Sequence, residues 1–192
     1  MHIYLLRHVA TQAKTGLCYG HSDIPLAENY PQQHSQIKKN LPPVKHIYTS
    51  PLSRCRQLAE DLVTHQTLII EECLRELNFG AWEQRYFNDI NPQQLKYWTE
   101  NYLTQAPPAG ESFQQLIQRC QQFWQQLQTT DEDCLIITHA GVIRALLMAM
   151  LTLSYEQVFH FKVDYGAMHG FKKHAEWVEL LYWNQPLWTA SP

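Results

Sequence analysis

The sequence predicts an α/β fold, a three-layer αβα sandwich with a mostly parallel central sheet and a small irregular or helical cap over the carboxyl-terminal edge of the strands. Two observations predict this fold. Short apolar runs alternate along the chain with segments of helical periodicity. The run CLIIT is apolar almost without interruption, which is typical of a strand covered on both faces in a parallel sheet.

The composition is that of a globular protein without a strong charge. Hydrophobic residues make up 45% of the 192 residues, and the formal net charge is −3. We therefore expect one domain over residues 1–192 and no nucleic-acid partner. No apolar run is long enough for a signal peptide or a membrane span, so we expect no membrane partner. Five scattered cysteines without a C-x-x-C pair favour reduced thiols and a cytoplasmic location.

The first two predicted strands are short and end in polar residues. HIYLL leads directly into Arg7 and His8. VKHIYTS leads into a helix, for which Ser50 is the predicted N-cap and Pro51 the predicted first residue. Apolar positions in SPLSRCRQLAEDLV give that helix one buried face.

The rest of the chain continues the alternation. A third strand, TLIIEE, precedes an irregular aromatic stretch, and we assign the cap to roughly residues 76–110, with a helix in QQLKYWTENYL. The clearest helix is ESFQQLIQRCQQFWQQLQ, where Ser112 and Gln115 form a capping box. CLIIT is then followed by the predicted helix GVIRALLMAMLTL, and SYEQVFHF begins another helix with a second capping box. GAMHGFKK and EWVELLYW are predicted as a closing pair of strands.

Basic side chains follow three of the predicted strands. Arg7 and His8 end the first strand, Arg54 lies in the first turn after the second, and His139 ends the CLIIT run. Because the carboxyl ends of parallel strands meet at one edge, we expect these four side chains to lie close together. Residues two positions apart on a helix point about 200° apart, so only one of Arg54 and Arg56 can face this edge. We choose Arg54.

Two guanidiniums and two imidazoles at one point favour an anionic ligand, and arginine forks fit a phosphate group. The helices after Ser50 and after Ala140 and Gly141 would direct backbone N–H groups to the same place. A neutral His8 among them suggests nucleophilic attack on phosphorus and a phosphohistidine that water later hydrolyses. This chemistry needs neither a metal nor a cofactor, and the chain has no H-E-x-x-H motif.

Such a reaction also needs an acid to protonate the leaving alkoxide. The stretch ECLRELNFGAWEQRY offers Glu71, Glu72, Glu76 and Glu83, and spacing alone does not choose among them.

Five motifs in order resemble the histidine phosphatase superfamily, which includes the phosphoglycerate mutases. They are LLRHVATQAK, YGHSDIPLAE, SPLSRCRQLAE, LRELNFGAWE and THAGVIRALL, and together they span nearly the whole chain. The resemblance implies a metal-independent phosphomonoesterase acting on a small molecule, with His8 as the phosphohistidine nucleophile. It implies Glu76 as acid and base, and Arg7, Arg54 and His139 as phosphate ligands.

The resemblance also implies a group of residues that line the phosphate and the substrate. They are Thr11, Lys14, Tyr19, Gly20, His21, Glu83, Ala140 and Gly141. Two positions depart from the family pattern. Val9 replaces the glycine of the first motif, where a β-branched residue would strain the backbone or narrow the pocket. Lys14 stands where many relatives have asparagine, and it adds a positive charge.

Within the superfamily, ELNFGAWEQRYFNDI, GESFQQLIQRC and FHFKVDYGAM look most similar to the α-ribazole phosphatases of cobalamin biosynthesis. These enzymes hydrolyse α-ribazole 5′-phosphate to α-ribazole and phosphate. Two alternatives stay open. One is a broad-specificity or sugar-phosphate phosphatase, or a mutase, with the same pocket. The other is an inactive relative that only binds phosphorylated ligands.

The aromatic residues of the cap have two interpretations: they stack on an aromatic base of the substrate, or they only pack the cap. They are Trp82, Tyr86, Phe87, Tyr97, Trp98 and Tyr102. The apolar face of the closing strands also leaves a homodimer open.

Overall fold

The computed structural model describes residues 1–188 and contains a six-stranded sheet with the order β3-β2-β4-β1-β5-β6. The strands are β1 His2–Arg7, β2 His46–Thr49, β3 Thr67–Ile70, β4 Cys134–Thr138, β5 Ala167–Lys173 and β6 Val178–Pro186. Strands β1 to β4 run parallel to their neighbours among themselves, whereas β5 and β6 add to β1 in antiparallel fashion. The prediction of a mostly parallel sheet is confirmed.

The helices cover both faces of this sheet. They are α1 Tyr30–Lys39, α2 Ser53–Leu62, α3 Pro92–Asn101, α4 Phe113–Leu127, α5 Ala140–Leu151 and α6 Tyr155–Val158. Ile3 and Leu5 of β1 pack in one core with α4 and α5, whereas Leu6 packs in a second core with α1 and α2. Successive side chains of a strand point to opposite faces, so each face of β1 has its own apolar cover. The three-layer αβα architecture is therefore confirmed.

Helix α4 begins with the capping box that its sequence predicts. The Ser112 hydroxyl accepts a hydrogen bond from the Gln115 backbone N–H at 3.3 Å, and the Gln115 side chain accepts one from the Ser112 N–H at 2.8 Å. Helix α6 is a single turn, and Ser154 and Gln157 form the second predicted box. At the start of each helix, the capping box thus provides acceptors for two backbone N–H groups that have no partner within the helix.

Helix α2 begins later than predicted, at Ser53, and Leu52 occupies its N-cap position. The prediction that Ser50 caps this helix and Pro51 begins it is therefore wrong. The Ser50 hydroxyl accepts a hydrogen bond from the Leu52 N–H and lies 2.9 Å from Nε2 of His139. The backbone N–H that this hydroxyl accepts thus belongs to the residue before the helix, so Ser50 stabilises the turn that leads into α2 and not its first turn.

Helix α1 has no counterpart among the predicted elements. Its sequence, YPQQHSQIKK, is mostly polar, and Ile37 is its fully buried apolar residue. Hydrophobic periodicity is consequently too weak to reveal it. The remaining signals are the proline in the first turn and the two lysines in the last turn.

The segment between β3 and α4 is irregular, as predicted, apart from α3 and three 3₁₀ turns. Those turns are Glu72–Leu74, Gly80–Trp82 and Phe87–Asp89. Buried Trp82 packs with Cys18 and Ile90, and its ring centroid lies 5.6 Å from that of Trp98. This small core attaches the segment to the loop that follows β1. None of the helices within residues 1–188 is long and apolar enough to cross a membrane.

Candidate active site

The parallel register of the strands brings the predicted basic residues together. Arg7, the last residue of β1, pairs in register with Thr138, the last residue of β4. His8 and His139 therefore leave neighbouring strands at the same level, and their ring centroids lie 5.1 Å apart. Arg54 joins them from α2, and its Nε donates a hydrogen bond to Nδ1 of His139 at 3.3 Å.

Arg54 is only 1% exposed, although it carries a full charge. Its Nη1 donates to the carbonyl of Ser22 at 2.9 Å, and its Nη2 donates to the carbonyl of Gly20 at 2.6 Å. The hydrogen bonds of Arg54 within residues 1–188 all go to neutral acceptors. None of these acceptors neutralises the charge of Arg54, so that charge is available to an anionic ligand. Arg56, in contrast, is exposed and paired with Glu60, as the helical geometry predicts.

Arg7 lies on the other side of the histidines. Its Nη1 donates to the carbonyl of Val163 at 2.6 Å, and its Cζ lies 3.6 Å from the ring centroid of Tyr165. Its buried Nε has no hydrogen-bond partner within residues 1–188. Tyr165, which also lies 5.5 Å from the ring of His8, belongs to the irregular segment before β5 and was not predicted as a site residue.

His8 is held as a neutral ring with one free lone pair. Its Nδ1 lies 2.7 Å from the carbonyl of Val9, so Nδ1 carries the proton and donates. Burial, and then the charges of Arg54 and Arg7, hold the pKa of His8 well below its ordinary value of 6.5. The Nε2 lone pair of His8 is therefore unprotonated at neutral pH, as a nucleophile requires.

His139 is fully buried and does not itself line the cavity described below. Its Nδ1 accepts from Arg54, so Nε2 carries the proton and donates to the Ser50 hydroxyl at 2.9 Å. Burial, and then Arg54 and His8, hold the pKa of His139 well below its ordinary value. A direct contact of His139 with a phosphoryl oxygen requires the exchange of the Arg54 contact.

Val9 neither strains the backbone nor narrows the pocket. Its φ is not positive, so the backbone conformation is one that any residue adopts. The side chain is fully buried in the apolar core that contains Leu6 and Met168, and it does not line the cavity. The expectation that Val9 strains the backbone or narrows the pocket is therefore wrong.

The basic cluster opens onto a cavity of about 690 Å³, and Glu76 is the only one of the four candidate glutamates that lines it. The carboxylate of Glu76 accepts hydrogen bonds from the N–H of Leu77 at 3.0 Å and from the N–H of Gly141 at 3.1 Å. A Cβ atom at position 141 would lie 2.4 Å from Oε1 of Glu76. Glycine at this position therefore lets the carboxylate approach the start of α5.

An ion pair that the sequence analysis missed holds the Glu76 loop from behind. Nε of Arg119 donates to the carboxylate of Glu111 at 2.7 Å. The same guanidinium donates to the backbone carbonyls of Cys73 and Glu76, at 2.5 and 3.0 Å. Arg119 lies in the amphipathic helix α4, which contains many other polar residues, so nothing in the sequence distinguishes it from them.

Glu83 does not line the cavity, and its assignment to substrate binding stays a prediction. Its carboxylate accepts hydrogen bonds from the backbone N–H groups of Gly20, His21, Ser22 and Phe79, and from the Ser22 hydroxyl. Burial raises the pKa of Glu83, but these hydrogen bonds outweigh burial and hold it below the ordinary value. Glu83 thus shapes the loop whose carbonyls bind Arg54.

Of the other residues assigned to substrate binding, Tyr19, Ala140 and Gly141 line the cavity. Thr11 and Gly20 contribute indirectly, because Thr11 lies 3.0 Å from the Tyr19 hydroxyl and Gly20 binds Arg54.

Lys14 and His21 are not brought to this cavity. Lys14 is exposed. The backbone of His21 is fixed by Glu83, and its side chain borders a separate small cavity beside Glu111 and Arg119. The assignment of Lys14 and His21 to substrate binding stays a prediction.

The wall of the cavity contains two of the six cap aromatics for which two interpretations were open. Trp98 and Tyr102 line the cavity, whereas the other four cap aromatics that we considered do not. The other aromatic lining residues come from several segments: Tyr19, Phe79, Phe113, Tyr155, Phe159 and Tyr165. The described part of the chain contains no group of three or more His, Cys, Asp or Glu side chains placed to hold a metal ion.

Comparison with known proteins places these features in a family. The sequence model of the histidine phosphatase superfamily (branch 1) matches residues 3–186. The adenosylcobalamin/alpha-ribazole phosphatase of Salmonella typhimurium is 32% identical over 178 residues, covering 86% of this chain and 87% of that protein. Its Escherichia coli counterpart is 30% identical over 177 residues, with the same two coverages. The alpha-ribazole phosphatase structure from Shigella flexneri has a TM-score of 0.90 at 25% identity, with both chains covered completely.

The buried histidines predict a dependence of stability on pH. Below about pH 6.5 the unfolded chain takes up protons on His8 and His139, whereas the folded chain does not, because both folded-state pKa values are well below 6.5. The free energy of unfolding should therefore decrease as the pH falls below about 6.5, by up to about 1.4 kcal/mol per pH unit for each ring. Urea unfolding at several pH values measures this slope.

The matched variant is His8→Gln, which removes one of the two rings. We expect its slope of unfolding free energy against pH to be shallower than that of the wild type by about 1.4 kcal/mol per pH unit. Identical slopes for the two proteins would show that His8 is protonated in the folded state.

Proposed function

Because this chain belongs to the histidine phosphatase superfamily and is a phosphoric monoester hydrolase, we propose that it hydrolyses α-ribazole 5′-phosphate to α-ribazole and phosphate through a phosphohistidine at His8. The carrying observation is the neutral ring of His8, whose free Nε2 lies among two guanidiniums that have no carboxylate partner within residues 1–188. That arrangement supports attack on a dianionic phosphate ester.

The ester first binds through its phosphoryl oxygens. Arg7 and Arg54 supply N–H donors, and the phosphate charge compensates both guanidiniums. When Arg54 turns its Nε toward a phosphoryl oxygen, Nδ1 of His139 loses its donor. The Ser50 hydroxyl fits both tautomers of His139, because it can accept a hydrogen bond from Nε2–H or donate one to an unprotonated Nε2. In the tautomer that carries its proton on Nδ1, His139 would donate a hydrogen bond from Nδ1–H to a phosphoryl oxygen.

In the transfer step Nε2 of His8 attacks phosphorus in line with the leaving oxygen. A bond forms between Nε2 and phosphorus, and the bond between phosphorus and the 5′-oxygen breaks. Glu76, in its protonated form, gives its proton to that oxygen, so the alcohol leaves neutral. The carbonyl of Val9 fixes Nδ1 of His8 and stabilises the positive charge that develops on the ring.

The second step returns the enzyme to its starting state. The Glu76 carboxylate takes a proton from a water molecule, whose oxygen attacks the phosphoryl group on His8. The bond between nitrogen and phosphorus breaks, and phosphate leaves. The hydrogen bonds from Leu77 and Gly141 hold the carboxylate in position for both proton transfers.

Two observations support the proposed substrate. Relatives at 30% and 32% identity bear the name adenosylcobalamin/alpha-ribazole phosphatase. In addition, the part of the cavity beyond the basic cluster is walled by aromatic side chains, including Trp98, Tyr102 and Phe159. Such a wall suits a leaving group that contains a flat apolar ring.

Phosphate release from a set of monoesters tests this function. We expect α-ribazole 5′-phosphate to have a kcat/KM at least about tenfold above that of ribose 5-phosphate, which has no base to bind the aromatic wall. We expect the rate to be the same with and without a chelator. Equal kcat/KM values across sugar and nucleotide monophosphates would contradict the proposed substrate, and no release from any ester would contradict catalysis.

The role of Glu76 predicts a dependence on the leaving group. In Glu76→Gln, kcat/KM for α-ribazole 5′-phosphate should fall by about 10² to 10⁴, because an alkoxide leaves poorly without a proton. The kcat/KM with p-nitrophenyl phosphate should fall far less, since nitrophenolate leaves without protonation. The comparison uses kcat/KM because this quantity reports phosphoryl transfer, whereas kcat also contains the hydrolysis of the phosphohistidine that both esters share. Steady-state kinetics with both esters measures the difference.

Glu72→Gln is the matched control, because the side chain of Glu72 is 74% exposed and lies in the same loop outside the cavity. We expect it to retain wild-type rates with both esters. Equal losses of kcat/KM with the two esters in Glu76→Gln would contradict the role of Glu76 in protonating the leaving oxygen.

A further inference from the structure

Arg144 is a cation in the cavity that the proposed reaction does not use. It lies in α5 and lines the cavity. Within residues 1–188 its one hydrogen bond is a long one, from Nη1 to the carbonyl of Ala140 at 3.3 Å, and its Nε is buried without a partner. A guanidinium that loses water without gaining acceptors is unfavourable, so this geometry favours a ligand that supplies an acceptor.

The guanidinium of Arg144 reaches the cavity from the start of α5. Gly141, in the first turn, contacts Glu76, and Arg144 follows three residues later on the same helical face. Its side chain leans back toward the start of the helix, where Nη1 contacts the Ala140 carbonyl, and its Cζ lies 5.2 Å from the ring centroid of Phe159. The guanidinium therefore contacts both the start of α5 and the aromatic wall, beside the space that the leaving group of the proposed reaction would occupy.

Aromatic rings frame this space. The ring centroid of Phe159 lies 5.2 Å from Cζ of Arg144 and 5.3 Å from the ring centroid of Tyr102. Phe113 completes the frame, with centroids 5.7 Å from Tyr102 and 5.6 Å from Phe159. A flat ring packed against these side chains would bring its edge toward the planar guanidinium.

The nearby carboxylate of Glu156 does not satisfy Arg144. Glu156 lines the same cavity, but its Oε2 accepts a hydrogen bond from the Ser154 hydroxyl at 2.7 Å. Arg144 forms no ion pair within residues 1–188. A ligand in the cavity can therefore supply the acceptor that the described residues do not give to Arg144.

We propose that Arg144 is the residue that selects the leaving group, by donating hydrogen bonds to an in-plane acceptor of a heteroaromatic ring held against Tyr102 and Phe159. The inference deepens the proposed function and rests on it for the identity of the ring. An unsubstituted ring nitrogen of the imidazole type supplies such an acceptor. A sugar phosphate without a base leaves Arg144 unsatisfied and the aromatic frame empty.

Calorimetric titration with α-ribazole and with ribose tests this role without any turnover. We expect the wild type to bind α-ribazole more tightly than ribose, and Arg144→Met to lower the affinity for α-ribazole by about tenfold or more. Arg144→Lys keeps the charge but not the planar fork, so we expect a comparable loss. Arg56→Met, at an exposed arginine of α2, is the matched control and should bind like the wild type.

Three results would overturn the inference: no tighter binding of α-ribazole than of ribose by the wild type, unchanged affinity in both Arg144 variants, or an equal loss in Arg56→Met. Thermal unfolding of each variant establishes that it is folded. Kinetics with α-ribazole 5′-phosphate should show the loss mainly in KM, whereas a misplaced Glu76 would lower kcat.

The titration also separates this inference from the proposed function. If the wild type binds α-ribazole through Arg144 but releases no phosphate from α-ribazole 5′-phosphate, the proposed function fails and the role of Arg144 stands. If the wild type hydrolyses α-ribazole 5′-phosphate and the Arg144 variants bind α-ribazole unchanged, the function stands and the role of Arg144 fails.

Discussion

The buried charge of Arg54 is the constraint on which the rest of the site depends. A guanidinium with 1% exposure is costly unless neighbouring groups accept its hydrogen bonds. Here the acceptors are two loop carbonyls and a histidine nitrogen, and none carries a negative charge. The fold therefore holds an uncompensated positive charge next to His8. Burial first, and this charge second, hold the pKa of His8 low and keep its imidazole neutral. In the proposed reaction the same charge attracts the phosphate ester.

Several features that look unrelated in the sequence hold Arg54 and the groups around it in position. Glu83 binds the N–H groups of residues 20–22, which directs the carbonyls of Gly20 and Ser22 to Arg54. The parallel pairing of β1 with β4 brings His8 and His139 to the same level. Arg119 fixes the loop that carries Glu76 through a hydrogen bond to the Glu76 carbonyl. Backbone hydrogen bonds and strand pairing thus fix the positions of the charged side chains and the imidazoles in the site.

The sequence was sufficient for features that depend on local periodicity. The sheet, most helices and the meeting of Arg7, His8 and His139 follow from short apolar runs that end in polar residues. The choice of Arg54 over Arg56 follows from the angle between helical positions. Contacts between distant segments could not be read in this way. Tyr165 reaches Arg7 from an irregular segment with no pattern, and Glu83 acts through loop N–H groups that every residue possesses.

The most direct test of this account is the position of the phosphoryl group during turnover. We predict that protein quenched in alkali while it hydrolyses α-ribazole 5′-phosphate carries a phosphoryl group on Nε2 of His8, because Nδ1 of that ring donates to the carbonyl of Val9. Phosphorus NMR of the quenched protein, together with mass spectrometry of its peptides, locates the group. A phosphoryl group on Nδ1 of His8 or on His139, or turnover without any phosphorylated histidine, would contradict the account.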